Sequence, residues 1–306
     1  MRSFRLHSIA LGALLIGCGG TSDPPATVEG RTLSIETGAY EIPAGDTTMC
    51  FYTNARTTEE FNVPYATGSQ GTWGHHLLLY YTDIEREPGY HPCTESEMVS
   101  WRQIVGVNLE NYSAGEFQDG MPEGGAVKVP PGKQIVVQSH NINTTGSPQM
   151  TEDRIVIKLL DTTEVRHFIN SWILFDEQFE VPPNSATKHV SECTVESDLQ
   201  VLTFTGHMHE WGKHFKLERL DESGAPVETL YETDWALHYD SHPPLTKYTL
   251  DAPYALPAGT RVRQTCEWSN TTPNPLTFPQ EMCVGFAYYF PDAGALDCAT
   301  EYPPQP

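Results

Sequence analysis

The sequence predicts an all-β protein built as two tandem antiparallel, jelly-roll-like β-sandwich domains. Three observations carry that expectation. No long segment keeps a 3.6-residue apolar period. Short runs at 134–138, 154–160, 199–205, 215–220 and 284–290 are rich in β-branched or aromatic residues and are bounded by Gly, Pro, Asn or Asp, as strands are. A turn signature occurs four times: Ile42-Pro43-Ala44-Gly45, Val129-Pro130-Pro131-Gly132, Val181-Pro182-Pro183-Asn184 and Leu256-Pro257-Ala258-Gly259. Pro fixes φ for a turn, and Gly or Asn tolerates positive φ, so each can close a turn before a new strand. Two copies fall in each half, which is also what generic turn chemistry in a β-rich chain would give.

The chain has 306 residues, a length that suits two domains. The four turns place these at 31–165 and 166–303, meeting near 164–170. Forty Asp and Glu against 18 Lys and Arg give a formal charge of −22, which repels phosphate backbones and excludes nucleic-acid binding. A hydrophobic content of 39% supplies real cores and excludes global disorder.

The first segment reads as an export signal. Arg2 and Arg5 precede an apolar stretch at 9–16, too short to span a bilayer. Leu15-Ile16-Gly17-Cys18 resembles the lipobox of bacterial lipoproteins, which implies a signal peptide at 1–17 and lipidation of Cys18. Residues 18–30 are small, polar and Pro-containing, as a flexible tether is. Gly19 rather than Asp after the cysteine implies, by the same resemblance, an exported protein anchored in the outer membrane of the cell envelope. Contact with the membrane is expected through the lipid alone, since no later stretch is long and apolar enough to span it. Seven cysteines (18, 50, 93, 193, 266, 283 and 298) leave six once Cys18 is set aside, an even number that fits disulfides in an oxidising compartment. Six cysteines allow 15 pairings, and spacing does not choose among them. No Cys-x-x-Cys occurs, which disfavours a zinc ribbon or a thioredoxin-type site.

Histidines form three clusters: Gly74-His75-His76-Leu77-Leu78-Leu79-Tyr80, Val136-Val137-Gln138-Ser139-His140-Asn141 and Phe204-Thr205-Gly206-His207-Met208-His209. On an extended strand, His207 and His209 share a face and can chelate, while Met208 points the other way with Leu202 and Phe204. His-x-His alone is also common on surfaces. His75 and His76 diverge on a regular strand and reach one ion only if the backbone bends there. Otherwise one is a core residue and the other a surface residue. His140 closes a strand and by itself reads equally as a hydrogen-bonded core histidine. Met282, in Gln280-Glu281-Met282-Cys283-Val284-Gly285-Phe286, is core filler unless it lies beside the His-x-His pair, where soft sulfur favours Cu(I) over zinc.

These four segments, in this order, resemble the copper type II, ascorbate-dependent monooxygenases, the family of peptidylglycine α-hydroxylating monooxygenase and dopamine β-monooxygenase. The matching features are the paired histidines before Leu-Leu-Leu, Gln138-Ser139-His140, His207-Met208-His209 with Gly212-Lys213, and Glu281-Met282-Cys283 with Tyr288-Tyr289. The likeness covers 33–298. It implies two coppers per chain, one held by His75, His76 and His140 for electron transfer. The other, held by His207, His209 and Met282, would be the catalytic ion that meets O2. It further implies disulfides Cys50–Cys93, Cys193–Cys298 and Cys266–Cys283.

Departures narrow the substrate. Thr205 stands where peptide-amidating members carry an Arg for the peptide carboxylate, and Val284 and Phe286 stand where they use Asn and Tyr. Peptide C-termini are therefore disfavoured. Trp211, Trp235, Phe286 and Tyr288 are candidates to line an apolar or aromatic site, or simply to pack a core. The remaining histidines are read as structural, surface or leader residues. The expected function is a dicopper monooxygenase that hydroxylates a C–H bond of a small organic substrate with O2 and a reductant, ascorbate or an equivalent. The alternative is a catalytically inactive copper-binding lipoprotein of the same fold that buffers or delivers copper. A third reading is a non-metal adhesion module. Substrate identity, electron donor and oligomeric state are not readable from the sequence.

Overall fold

Each of the four Pro-containing turns puts one residue into the left-handed backbone region shortly before a strand: Gly45 at φ 97°, Gly132 at 78°, Asn184 at 50° and Gly259 at 81°. Glycine takes such a φ without a Cβ clash, and Asn is among the side chains that best tolerate it. The computed structural model describes residues 27–29, 31–98, 100–108, 121–240, 243–278, 280–298 and 300. In it the four turns lead into Gly45–Arg56, Gln134–Asn143, Ser185–Thr194 and Arg261–Asn270. These strands pair two by two. Gly45–Arg56 lies antiparallel to Gln134–Asn143, and Ser185–Thr194 lies antiparallel to Arg261–Asn270. The repeated turn in the sequence thus marks a repeated strand pair, one in each half.

The fold is all-β, with sheets that are antiparallel apart from two short parallel contacts. Four of the five runs read as strands from sequence lie within strands, Gln134–Asn143, Leu199–His207, Gly212–Leu220 and Cys283–Phe290; the fifth, 154–160, overlaps Asp153–Lys158 and runs two residues past its end. Two sheets position the histidines. The first runs Gly89–Pro92, Gly45–Arg56, Gln134–Asn143, Gly74–Thr82, Trp101–Asn108. The main path of the second runs Thr246–Lys247, Leu199–His207, Cys283–Phe290, His167–Asp176, Gly125–Val129, Phe61–Val63.

Period-2 burial explains the cores. Leu77 and Leu79 are fully buried while Leu78 and Tyr80 are not, as alternation along a strand demands. Together with Leu33, Ile35, Val137, Ile155 and Ile157, they belong to a core drawn from residues 33–159. A second core, drawn from 172–298, centres on Trp172, Phe204, Phe215, Leu217, Trp268 and Tyr289. Main-chain pairing nevertheless crosses the midpoint of the chain, where Gly125–Val129 runs parallel to His167–Asp176 with Val127 opposite Ile169. Disulfides join Cys50 to Cys93, Cys193 to Cys298 and Cys266 to Cys283, with Cα atoms 5.0, 5.7 and 5.9 Å apart.

Three local expectations are corrected. Thr27–Glu29, placed in the tether, forms a strand paired with Thr32–Ser34; the rest of the tether, Cys18 and the leader lie outside the described residues. His140 does not close its strand, which continues to Asn143. Leu202 does not share a face with Phe204. The register shifts between Val201 and Thr203, so Leu202 packs with Ile169, Leu250, Tyr288 and Phe290 while Phe204 and Met208 enter the main core. Among the described residues, no helix is long and apolar enough to cross a membrane.

Under the His140 strand lies a buried polar network. Tyr40 donates to Asp153 Oδ2 at 2.6 Å and meets Ser139 Oγ at 2.9 Å, and Gln70 Nε2 donates to Ser139 Oγ at 2.8 Å. Burial pushes the Asp153 carboxyl above its ordinary value, although the Tyr40 hydrogen bond opposes the shift. A raised folded pKa gives stability that is full below the unfolded value of about 3.9 and is lost as pH rises through the folded one. Wild type is therefore expected to lose stability relative to Asp153→Asn, which keeps an oxygen for Tyr40, as pH rises from about 4 to 7. Urea midpoints across that range measure it, and a constant difference would refute it. Breaking Cys193–Cys298, which spans 105 residues of sequence, is expected to cost about 2–5 kcal/mol, read by denaturant unfolding of the double Ala variant.

Candidate metal centre

His76 sits opposite His140 in the ladder, but the next pair joins Gly74 to Asn141. One residue is left over between those pairs, and it is His75. Such a bulge turns a side chain out of the usual alternation. Two adjacent histidines thereby face the same point. Glycine at position 74 permits the approach: a Cβ there would lie 2.1 Å from Cβ of Gln70.

His75 Nδ1 and His140 Nδ1 lie 3.3 and 3.4 Å from His76 Nδ1. One nitrogen from each of the three rings falls within 4.8 Å of the others. Four-coordinate metal–imidazole bonds of about 2.0–2.1 Å imply ligand nitrogens about 3.3–3.4 Å apart along a tetrahedral edge. The two separations from His76 match that edge, and the three nitrogens together lie within 4.8 Å of one another. His140 is 9% exposed, and its far nitrogen, Nε2, lies 2.7 Å from Asp46 Oδ1.

The second group forms where a strand runs out. His207 ends Leu199–His207, opposite Val284, and His209 lies two residues beyond. Their rings are 5.0 Å apart. Side chains hold this extension in place of a neighbouring strand. Glu281, fully buried, accepts the backbone N–H of His209 (3.0 Å) and of Trp211 (2.6 Å), the indole N–H of Trp268 (2.8 Å) and the N–H of Met282 (3.3 Å). Trp235 donates its indole N–H to the carbonyl of His209 at 3.0 Å. Met282 is half-buried and precedes the bridged Cys283. The same Glu281 oxygen takes the N–H of His209 and of Met282, and among the described residues no hydrogen bond joins the Met282 sulfur to either ring.

Burial keeps the His207 imidazole neutral. Desolvation pushes His207 down to about 3, and the neighbouring His209 adds to the shift. A neutral ring keeps a lone pair for a metal. Burial raises Glu281 above the ordinary carboxylate range against the pull of its donors. Asp46 is held below that range, first by its hydrogen bond with His140, then by the charges that His140, His75 and His209 carry when protonated. The two histidine groups are therefore within electrostatic reach of one carboxylate.

Cross-strand register defines the surface next to His207. Residues paired across strands share a face. His207, Val284 and Phe175 form one row; Thr205, Phe286 and Ile173 the next; Thr203, Tyr288 and Ser171 a third. These nine side chains carry no fixed charge, and the ladder goes on to Lys247 beside Thr203 and Asp297 beside Ile173. Phe286 and Tyr288 meet edge to face at 4.9 Å, and Phe175 meets Phe278 at 5.2 Å. Trp235 meets the His207 ring edge to face at 6.5 Å as well as binding the His209 carbonyl, and Trp211 packs partly buried against the core.

Other histidines take structural partners. His91 meets Glu97 at 2.8 Å, His189 meets Asp176 at 2.6 Å and His214 meets Glu232 at 3.2 Å. His7 and His242 lie outside the described residues. Sequence reasoning missed Asp46 and assigned Glu281 no role. Asp46 is 94 residues from His140 and Glu281 is 72 from His209, so no local spacing could have flagged either contact.

No family model and no curated protein matches the chain. Among solved structures, the chain is similar to the major capsid protein P2 from bacteriophage PM2, with 9% identity, a TM-score of 0.32, and coverage of 89% of this chain and 96% of that one. It is also similar to the Sulfolobus Turreted Icosahedral Virus structure, with 9% identity, a TM-score of 0.23 and coverage of 85% and 56%. A third similarity is to infectious bursal disease virus Gx strain, with 7% identity, a TM-score of 0.22 and coverage of 90% and 77%.

Glu281→Ala strands four donors, the backbone N–H groups of His209, Trp211 and Met282 and the indole N–H of Trp268. Each buried orphan costs about 1–3 kcal/mol. The variant is expected to lose about 3 kcal/mol or more and to weaken metal binding at His207 and His209 while leaving the His75, His76 and His140 centre intact. Unfolding curves and metal titrations of the two sites read this, and equal loss at both sites would contradict it.

Proposed function

We propose that the protein is a dicopper monooxygenase that hydroxylates a C–H bond of a small, uncharged organic substrate. The observation that carries this reading is the convergence of three imidazoles from two strands, with one nitrogen of each within 4.8 Å of the others. The His-x-His pair with Met282 anchored alongside supports a second ion, and the thioether favours copper in its reduced form over zinc. When bound, copper supplies electron storage and the activation of O2. The reaction balances as R–H, O2, two electrons and two protons giving R–OH and water, with the electrons from an external reductant, ascorbate or an equivalent.

The chain's own residues set the conditions. His75, His76 and His140 hold one ion; His207, His209 and Met282 hold the other. Glu281 and Trp235 fix the backbone that carries His209. Val284, Phe286, Ile173 and Phe175 offer the substrate an uncharged surface beside His207, and Thr205 offers no charge to a carboxylate. Lipid anchoring through Cys18 in the cell envelope completes the reading.

Copper titration is expected to reach two ions per chain. The reduced, copper-loaded protein given O2 and a panel of neutral aromatic and aliphatic compounds is expected to couple O2 uptake to a hydroxylated product, with His207→Ala and Met282→Ala abolishing the coupling. Two bound coppers with no coupled product would favour a copper buffer. Negligible copper binding would sink both.

A further inference from the structure

Three neighbouring strands present Asp46, His140 and His76 side by side. His140 pairs with Thr48 on one side and His76 on the other, and Asp46 shares the face of Thr48 two residues away. Asp46 and His140 are therefore diagonal neighbours across an antiparallel ladder, within reach of side-chain contact. The turn at Gly45 starts the strand and sets Asp46 at its mouth.

A neutral imidazole has one proton for two nitrogens. At His140, Nε2 lies 2.7 Å from a carboxylate oxygen, while Nδ1 lies 3.4 Å from Nδ1 of His76. An ionised carboxylate only accepts, so the proton belongs on Nε2. Nδ1 is then left with its lone pair, aimed at the point where the other two rings converge. The opposite tautomer would set lone pair against carboxylate and put an N–H where the ion would sit.

We propose that Asp46 is the positioning residue of the three-histidine centre: it fixes the tautomer and ring orientation of His140 and lends negative charge to the ion. The proposal rests on the reading that these imidazoles hold a metal. Carboxylates that take the far N–H of a ligating histidine act this way, and losing one costs roughly 10- to 100-fold in metal affinity. Asp46 differs from a plain surface ion pair in one respect: its partner is a nearly buried histidine whose other nitrogen faces two more imidazoles.

The test uses the full chain in a His207→Ala/His209→Ala background, which leaves one centre to read. Cu(I) affinity is measured by competition with a chromogenic chelator, and Cu(II) by pulsed EPR of the remote imidazole nitrogens. Asp46→Ala is expected to weaken Cu(I) binding roughly 10- to 100-fold, to change the remote-nitrogen signal and to raise the reduction potential. Asp46→Asn, which keeps an acceptor without the charge, is expected to retain more affinity than Asp46→Ala while still raising the potential. Circular dichroism confirms that each variant is folded. If both variants bind Cu(I) within about threefold of the parent with unchanged signals, Asp46 is a surface ion pair and the positioning role is wrong, although the metal centre stands. If the parent binds no copper, the metal reading fails and the proposal fails with it.

Discussion

Side chains on a regular strand alternate, so adjacent residues face opposite sides of a sheet. His75 and His76 are adjacent, and the N-terminal centre exists only because that rule is broken once. The break is one unpaired residue between the pairs His76–His140 and Gly74–Asn141. Everything else at the centre follows from ordinary register. His140 lies on the middle strand of three, so one neighbour brings His76 and the other brings Asp46. The buried network of Gln70, Ser139, Tyr40 and Asp153 underlies the same stretch and reaches the His140 carbonyl through Gln70 at 3.2 Å.

The C-terminal pair reaches order by a different route. There the ladder stops at His207, and a buried carboxylate and an indole take over the backbone of His209. Glu281 links Trp211 and Trp268 to the same point, and the Cys266–Cys283 bridge holds the strand that follows. A site built on side-chain hydrogen bonds depends on each donor and acceptor, because a buried orphan is costly. A site built on a ladder spreads the same burden over many backbone bonds.

Net charge and local charge diverge. The chain is strongly acidic, yet the residues paired with and next to His207 on the three central strands, Val284, Phe175, Thr205, Phe286 and Ile173, carry no charge. Overall charge governs approach and solubility; a pocket answers only to what touches it. Local surroundings likewise set the neutral state of His207, through its burial first and then the neighbouring His209.

Much of the fold was legible in the sequence. The Pro-Gly and Pro-Asn turns, the short β-branched runs and the two halves are local chemistry, and local chemistry is written in consecutive residues. The histidine pairs were visible for the same reason. What the sequence left open was whether His75 and His76 could share a target, since that needs a bulge, and a bulge is a property of two strands in register. Leu202 was misplaced for the same reason, and the roles of Asp46 and Glu281 were hidden because their partners lie 94 and 72 residues away. The sequence by itself determined which residue types were present, where the chain turns and which segments extend. Only the tertiary structure decided which of those segments lie side by side and in what register, because cross-strand pairing joins residues that no spacing along the chain connects.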